Sequence, residues 1–187
     1  MIIEATRTAE ANATQAVYMA ATVTAAANQN LEKVELSILL PGGHTPPNSI
    51  GNVIPLPDKK LAIRIQIPSL NVDAPVVQGD GWEELKKGVG QKLGSSNPGE
   101  KGIIILSAYN DIYGELFRYL DRLQPGDKIV LFNSESAYSY SFVRHEVVSS
   151  QNPKLVFDPN ESNLVLTSQY PYLQDNEWII VYATLDN

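Results

Sequence analysis

Chemistry at neutral pH needs a nucleophile, a proton carrier or a metal ligand, and this sequence offers few of them. It contains no cysteine, which removes thiolate nucleophiles, thiolate metal sites and disulfides together. Its two histidines, His44 and His145, stand far apart, so a His-based metal centre has little to draw on. His44 lies in the run Pro41-Gly42-Gly43-His44-Thr45-Pro46-Pro47-Asn48, where a solvated side chain is the default. His145 falls in an alternating run and shares its strand face with Ser139, Ser141 and Val143, which reads as a surface or structural histidine. Ser168 could act as a nucleophile only with a base in hydrogen-bond reach. Asp111 and Asp127 read as a cap and a turn residue, since no dense acidic loop of the kind that binds calcium surrounds them. No metal and no cofactor is expected.

The elements that must position such residues are mostly strands. The 187 residues, 43% of them hydrophobic, suffice for one substantial core and not two. Tyr outnumbers Trp and Phe, nine against two and four, which suits half-buried β surfaces whose rings pack while hydroxyls stay wet. The formal net charge is −7 and basic residues are not concentrated anywhere, which argues against a nucleic-acid partner. No apolar run reaches the roughly 18 to 20 residues that cross a bilayer, so the chain has no membrane span of its own, although an anchor outside this sequence is compatible with it.

Residues 4–30 are dominated by Ala, Thr and Asn and read as a low-complexity stalk. Residues 31–40 form one short apolar element, and the Pro/Gly-rich segment after it is a linker ending near Pro57. The division expected is therefore 1–57, stalk and linker, and 58–187, folded domain. Leu61 to Ile67 alternates and stops at Pro68; Val72 to Val77 is extended; Lys101-Gly102-Ile103-Ile104-Ile105-Leu106 suits a central strand buried on both faces. The spacing of Leu116, Phe117 and Leu120 predicts a helix over 113–120, and Gln124-Pro125-Gly126-Asp127 a turn into strand Lys128–Phe132. Tyr138–Val148 predicts a long bent or bulged strand, and Asn163–Gln169 and Trp178–Thr184 two more. Seven or eight strands with two short helices and no βαβ alternation predict a mainly β chain closed into a barrel.

Several of these segments together resemble the sortase family, in its short-barrel bacterial branch. They are Ile67-Pro68 with Val72-Asp73-Ala74-Pro75-Val76-Val77, then Gly88-Val89-Gly90 and Pro98-Gly99-Glu100-Lys101-Gly102. Asp111-Ile112-Tyr113-Gly114-Glu115-Leu116-Phe117 and Leu120-Asp121-Arg122-Leu123-Gln124-Pro125-Gly126-Asp127 follow in the family's order. The resemblance implies a sortase-type closed barrel. It also implies cysteine transpeptidase chemistry, in which a thiolate attacks a sorting-signal peptide, a histidine carries protons and an arginine steadies the oxyanion or substrate.

Each role maps onto a residue unable to fill it. The family's histidine sits two residues before the Asp of the Asp-x-Tyr-Gly run, which here is Tyr109. Its cysteine closes the penultimate strand before a Tyr-Pro pair, which in Leu164-Val165-Leu166-Thr167-Ser168-Gln169-Tyr170-Pro171 is Gln169. Its arginine opens the last strand, at Trp178 or Glu177. A carboxamide is no nucleophile, a phenol of pKa about 10 is a poor proton shuttle, and neither indole nor carboxylate neutralises an oxyanion. The expectation is a sortase-like pseudoenzyme on an exported, surface-exposed or membrane-tethered protein. Its partner would be a peptide or a cell-envelope protein, met through Tyr109, Ser168, Gln169 and Tyr170. Two rivals stand beside it: a residual hydrolase using Ser168 or a tyrosine, and a structural module whose old site is simply packed shut.

Overall fold

The structure, a computed structural model, describes residues 34–38, 60–149, 153–174 and 176–186. The Ala/Thr-rich stalk, the Pro/Gly linker and His44 lie outside the described residues. Ten strands are present among them: β1 (Val34–Ser37), β2 (Arg64–Ile67), β3 (Val72–Gln78), β4 (Val89–Gln91), β5 (Gly102–Ser107), β6 (Lys128–Phe132), β7 (Ala137–Val148), β8 (Lys154–Phe157), β9 (Ser162–Tyr170) and β10 (Glu177–Leu185). Eight close a barrel in the order β10-β7-β6-β2-β3-β4-β5-β9, while β1 and β8 pair as a separate two-stranded sheet. The pairs β3–β4 and β5–β9 are parallel and the other barrel pairs antiparallel. The chain is thus mainly β and closed, as its alternating runs predict.

Alternation decides what fills the barrel. Ile65, Ile67, Ile104, Leu106, Ile129, Leu131, Leu164, Leu166 and Val181 point inward and are completely buried. Each such side chain contributes about 1.5–3 kcal/mol relative to an exposed one. The opposite phase of the same strands, Ile103, Ile105, Val165, Trp178, Ile180 and Tyr182, forms a second apolar cluster outside the barrel, capped by Leu36, Ile38, Leu155 and Phe157 from β1 and β8 and their flanks. Strand β5 is a continuous apolar run because both of its faces are covered, one by the core and one by this outer sheet. Of the short apolar element expected at 31–40, Val34–Ser37 form β1, laid antiparallel on β8 with Leu36 opposite Leu155.

The long strand is bulged where its length suggests. Opposite β7, Tyr182 pairs with Arg144 and Ala183 with Phe142, so Val143 is the unmatched residue. His145 lies beyond the bulge, exposed, with its ring 6.0 Å from that of Phe142. The helix expected over 113–120 is absent. Tyr113, Gly114 and Glu115 have φ of 50°, 92° and 51°, and three successive left-handed residues cannot continue a right-handed helix. The helical spacing of Phe117 and Leu120 instead lets a loop drop two anchors into the core, and only Leu120–Arg122 closes a 3₁₀ turn. The one α-helix among the described residues, α1, is the single turn Trp82–Leu85, and a second 3₁₀ turn spans Pro68–Leu70.

Candidate functional site at the end of β5 and β9

The outward phase of β9 runs Val165, Thr167, Gln169, and that of β10 runs Ile180, Trp178; the ladder places Trp178 directly across from Gln169 and Glu177 across from Tyr170. Of the two registers open in the sequence for the arginine position, Trp178 is therefore the one facing Gln169. On the other side, parallel pairing sets Ser107 beside Thr167, and their buried hydroxyls share a hydrogen bond of 2.8 Å. The chain leaving β5 stays stitched to β9. Ala108 N donates to Thr167 O at 3.3 Å, and Asn110 Nδ2 donates to Gln169 O at 2.8 Å. Tyr109, held between these two anchors, is thereby kept alongside the end of β9. Tyr109, Gln169 and Tyr170 are all half-buried.

Ser168 is placed differently from its neighbours. It shares the inward phase of Leu164 and Leu166, is 1% exposed, and donates its hydroxyl to Ala108 O at 2.8 Å. As alternation predicts, it faces away from Gln169. A buried hydroxyl committed to a carbonyl offers nothing to a ligand on the outer face, and the expectation that Ser168 helps line that face is corrected on this ground. Trp178 is 6% exposed and belongs to the outer apolar cluster. Tyr170 packs against the barrel core and leads into a cis Tyr170-Pro171 bond.

The electrostatics follow from burial. The Tyr109 phenol is pushed up to about 12, first by desolvation and then by Tyr113, Asp111 and Glu83. It stays protonated at neutral pH and cannot serve as a general base. The guanidinium of Arg118 is engaged by the Glu115 carboxylate and stacks 3.8 Å over the Tyr172 ring, whose hydroxyl also donates to Glu115 at 3.0 Å. Two buried acceptors next to Tyr109, Asn110 Oδ1 and Asp111 Oδ1, have no hydrogen-bond partner among the described residues. Among these residues no three His, Asp or Glu side chains converge as a metal site would need.

Sequence reasoning missed two features here. One is the pair of rings that contact Tyr109: Trp82 at 5.5 Å and Tyr113 at 5.7 Å between centroids. Only the fold brings Trp82, at the start of α1, to the end of β5. The other is a surface cavity of about 240 Å³ lined by Leu70, Asp73, Glu115, Leu116, Arg118 and Tyr119 among others, which contains neither Tyr109 nor Gln169. Among the described residues the Ser168 hydroxyl is paired with a backbone carbonyl, Ala108 O, and not with a base.

Comparison with known proteins agrees with this geometry. The Sortase domain family matches residues 65–186. The chain is 32% identical over 109 residues to Sortase D of Bacillus subtilis, covering 58% of this chain and 54% of that protein. It is 31% identical over 111 residues to Sortase A of Bacillus anthracis, covering 58% and 52%. The chain thus spans about half the length of these curated relatives. Among solved structures it is similar in fold to sortase C-1 from Actinomyces oris, with TM-score 0.62 and 24% identity over 70% of this chain and 74% of that one. It is likewise similar to a lid mutant of Sortase A from Corynebacterium diphtheriae, with TM-score 0.61 and 21% identity over 70% and 72%. With a closed eight-stranded barrel and a family match across nearly all of it, the chain belongs to the sortase family.

Proposed function

We propose that the chain is a non-catalytic sortase-like domain that binds an extended peptide of a cell-envelope protein, on an exported, surface-exposed or membrane-tethered protein. The observation that carries this reading is the end of β9. A carboxamide, Gln169, stands there across the ladder from an indole, Trp178, in a chain that contains no cysteine at all. Sulfur chemistry is therefore closed to it, and the Tyr109 phenol is held protonated. Half-buried aromatic and amide groups remain, those of Tyr109, Gln169 and Tyr170. Residual hydrolysis through Ser168 has little support, because its hydroxyl is buried and committed to Ala108 O. A purely structural role is favoured by one observation, the β1–β8 sheet that covers the outer apolar cluster including Trp178.

An amide-resolved NMR titration with a lysine-free sorting-signal peptide separates the two. Saturable shifts confined to Tyr109, Asn110, Gln169 and Tyr170, reduced in a Gln169→Leu variant, are the expected result. An unperturbed spectrum at millimolar peptide would leave the structural role alone standing.

A further inference from the structure

Tyr172, Arg118, Tyr119 and Arg122 stack in that order, ring and guanidinium alternating. The Arg118 guanidinium lies 3.8 Å from the centroid of the Tyr172 ring and 5.1 Å from that of Tyr119, and the Arg122 guanidinium lies 3.9 Å from Tyr119. Local backbone explains the last pair. Tyr119 and Arg122 are three residues apart across the 3₁₀ turn Leu120–Arg122, and such a turn sets residues i and i+3 one above the other. Stacking on a ring fixes the plane of a guanidinium, and its N–H groups, which lie in that plane, are then met from the side.

Those N–H groups are short of acceptors. Glu115 takes only Nη1 of Arg118, and Arg122 is exposed, its guanidinium making no hydrogen bond or ion pair among the described residues. The other charges nearby are matched. Asp73 receives Nε and Nη2 of Arg64 together with Gln66 Nε2, and the second oxygen of Glu115 accepts from Tyr172. Asp121, exposed and next to Arg122 in the chain, pairs with neither stacked guanidinium. An unmatched planar fork is thus open to water in a chain of net charge −7, and its natural complement is a carboxylate.

Arg118 and Tyr119 also wall the cavity of about 240 Å³ beside the Pro68–Leu70 turn, whose apolar lining is Leu70, Val72 and Leu116. That volume is below the roughly 300–1,000 Å³ of a site for a drug-sized ligand and suits one aliphatic side chain. A carboxylate and an aliphatic side chain joined to the same carbon are the end of a polypeptide. An internal Asp or Glu carries no such neighbour beside its carboxylate, and phosphate carries none at all.

We propose that Arg118 and Arg122, stacked on Tyr119, hold the C-terminal carboxylate of a partner polypeptide while its last, aliphatic side chain enters the cavity lined by Leu70, Val72 and Leu116. The site shares no residue with Tyr109, Gln169 and Tyr170, so the two readings fail separately: a sorting-signal peptide amidated at its C-terminus tests that one, and a free carboxylate tests this one.

The test titrates the full chain with N-acetylleucine, N-acetylglycine, N-acetylleucinamide and inorganic phosphate at constant ionic strength. It follows the backbone amides of Gly114, Leu116 and Tyr119 and the arginine Nε–H resonances, with the amides of Tyr109 and Gln169 as internal reference. Expected are a saturable millimolar shift with N-acetylleucine, binding weaker by about three-fold or more for N-acetylglycine and for phosphate, and no saturation with the leucinamide. Arg122→Gln should weaken N-acetylleucine about three-fold or more, and Arg122→Lys, which keeps the charge without the fork, about two-fold. A peptide ending in leucine should displace N-acetylleucine, and the same peptide amidated at its end should not. The proposal is overturned by no saturable shift with N-acetylleucine, by the leucinamide, N-acetylglycine or phosphate binding as tightly, or by Arg122→Gln binding like wild type. Matching unfolding midpoints confirm that the Arg122 variants are folded; should one differ, the four ligands on the wild-type chain still decide.

Discussion

An arginine introduced at position 178 should damage the fold. Trp178 is 6% exposed and packs in a cluster with Ile103, Ile105, Leu155, Val165 and Ile180. Removing a buried large aromatic side chain costs about 3–5 kcal/mol, and a guanidinium stem recovers part of those contacts. The charged head entering apolar surroundings adds a penalty unless it reaches water past the start of β10. The net loss expected for Trp178→Arg is about 3–5 kcal/mol, a large share of the roughly 5–15 kcal/mol that such a domain has. Urea unfolding followed by far-UV circular dichroism measures it. With a slope of about 2 kcal/mol per molar, the midpoint should fall by roughly 2 M. Gln169→Cys, Tyr109→His and Glu177→Arg, all at half-buried positions, should each cost about 1 kcal/mol or less. Trp178→Arg matching wild type, or Glu177→Arg proving the costly one, would refute the register and the packing argument together.

Other consequences are equally direct. Tyr140 is completely buried, and its hydroxyl accepts from Gly99 N at 3.0 Å and meets Ser162 Oγ at 3.1 Å, so Tyr140→Phe should cost about 1–3 kcal/mol in thermal unfolding by stranding the Gly99 N–H. Leu155→Ala, at the centre of the outer cluster, should cost about 2–5 kcal/mol and raise hydrogen exchange in β1 and β8 before the barrel. The carboxyls of Asp73 and Asp186 are held at about 2 against an ordinary 3.8, the first by Arg64 and Gln66, the second by Lys128, Ser139 and Ser141. Depressed folded values stabilise above the ordinary value and lose that contribution as pH falls through the folded one, so stability should drop between about pH 4 and pH 2. Asp73→Asn with Asp186→Asn should flatten the profile in that window; both ion pairs are largely exposed, and high salt should flatten it too.

How far the sequence reached depended on whether a signal was periodic. Tyr138–Val148 is legible because the barrel interior imposes a two-residue period, and Ile103–Leu106 because a strand covered on both faces is apolar throughout; a run as long as Tyr138–Val148 reads as bent or bulged, and the structure puts the bulge at Val143. Periodicity failed at 113–120, where Phe117 and Leu120 are spaced like a helix face but reach the core from a loop whose backbone is left-handed at three positions. The three-residue β4 and four-residue β8 are too short to show any period, and β8 owes its place to a partner strand more than a hundred residues away in sequence. Composition and periodicity say nothing of Tyr109 and Gln169, whose reading rests on their order among family-like segments. Strand alternation turns Ser168 inward, away from Gln169, and its hydroxyl donates to Ala108 O. Trp82 left no trace at all, because its contact with Tyr109 depends on the crossover from β3 to β4 that brings the intervening turn to the end of β5.

Gln169, a carboxamide, stands at the end of β9 in a sortase-family barrel whose chain contains no cysteine, and the proposed function requires that this chain transfer nothing. The most direct measurement is mass spectrometry of the full chain incubated at high concentration with a sorting-signal peptide and a primary-amine acceptor. The expected result is intact peptide, no acyl-enzyme mass and no amide product, both for the wild-type chain and for Ser168→Ala. A cleaved or transferred product that forms in proportion to the protein, above all one that disappears with Ser168→Ala or Tyr109→Phe, would contradict it.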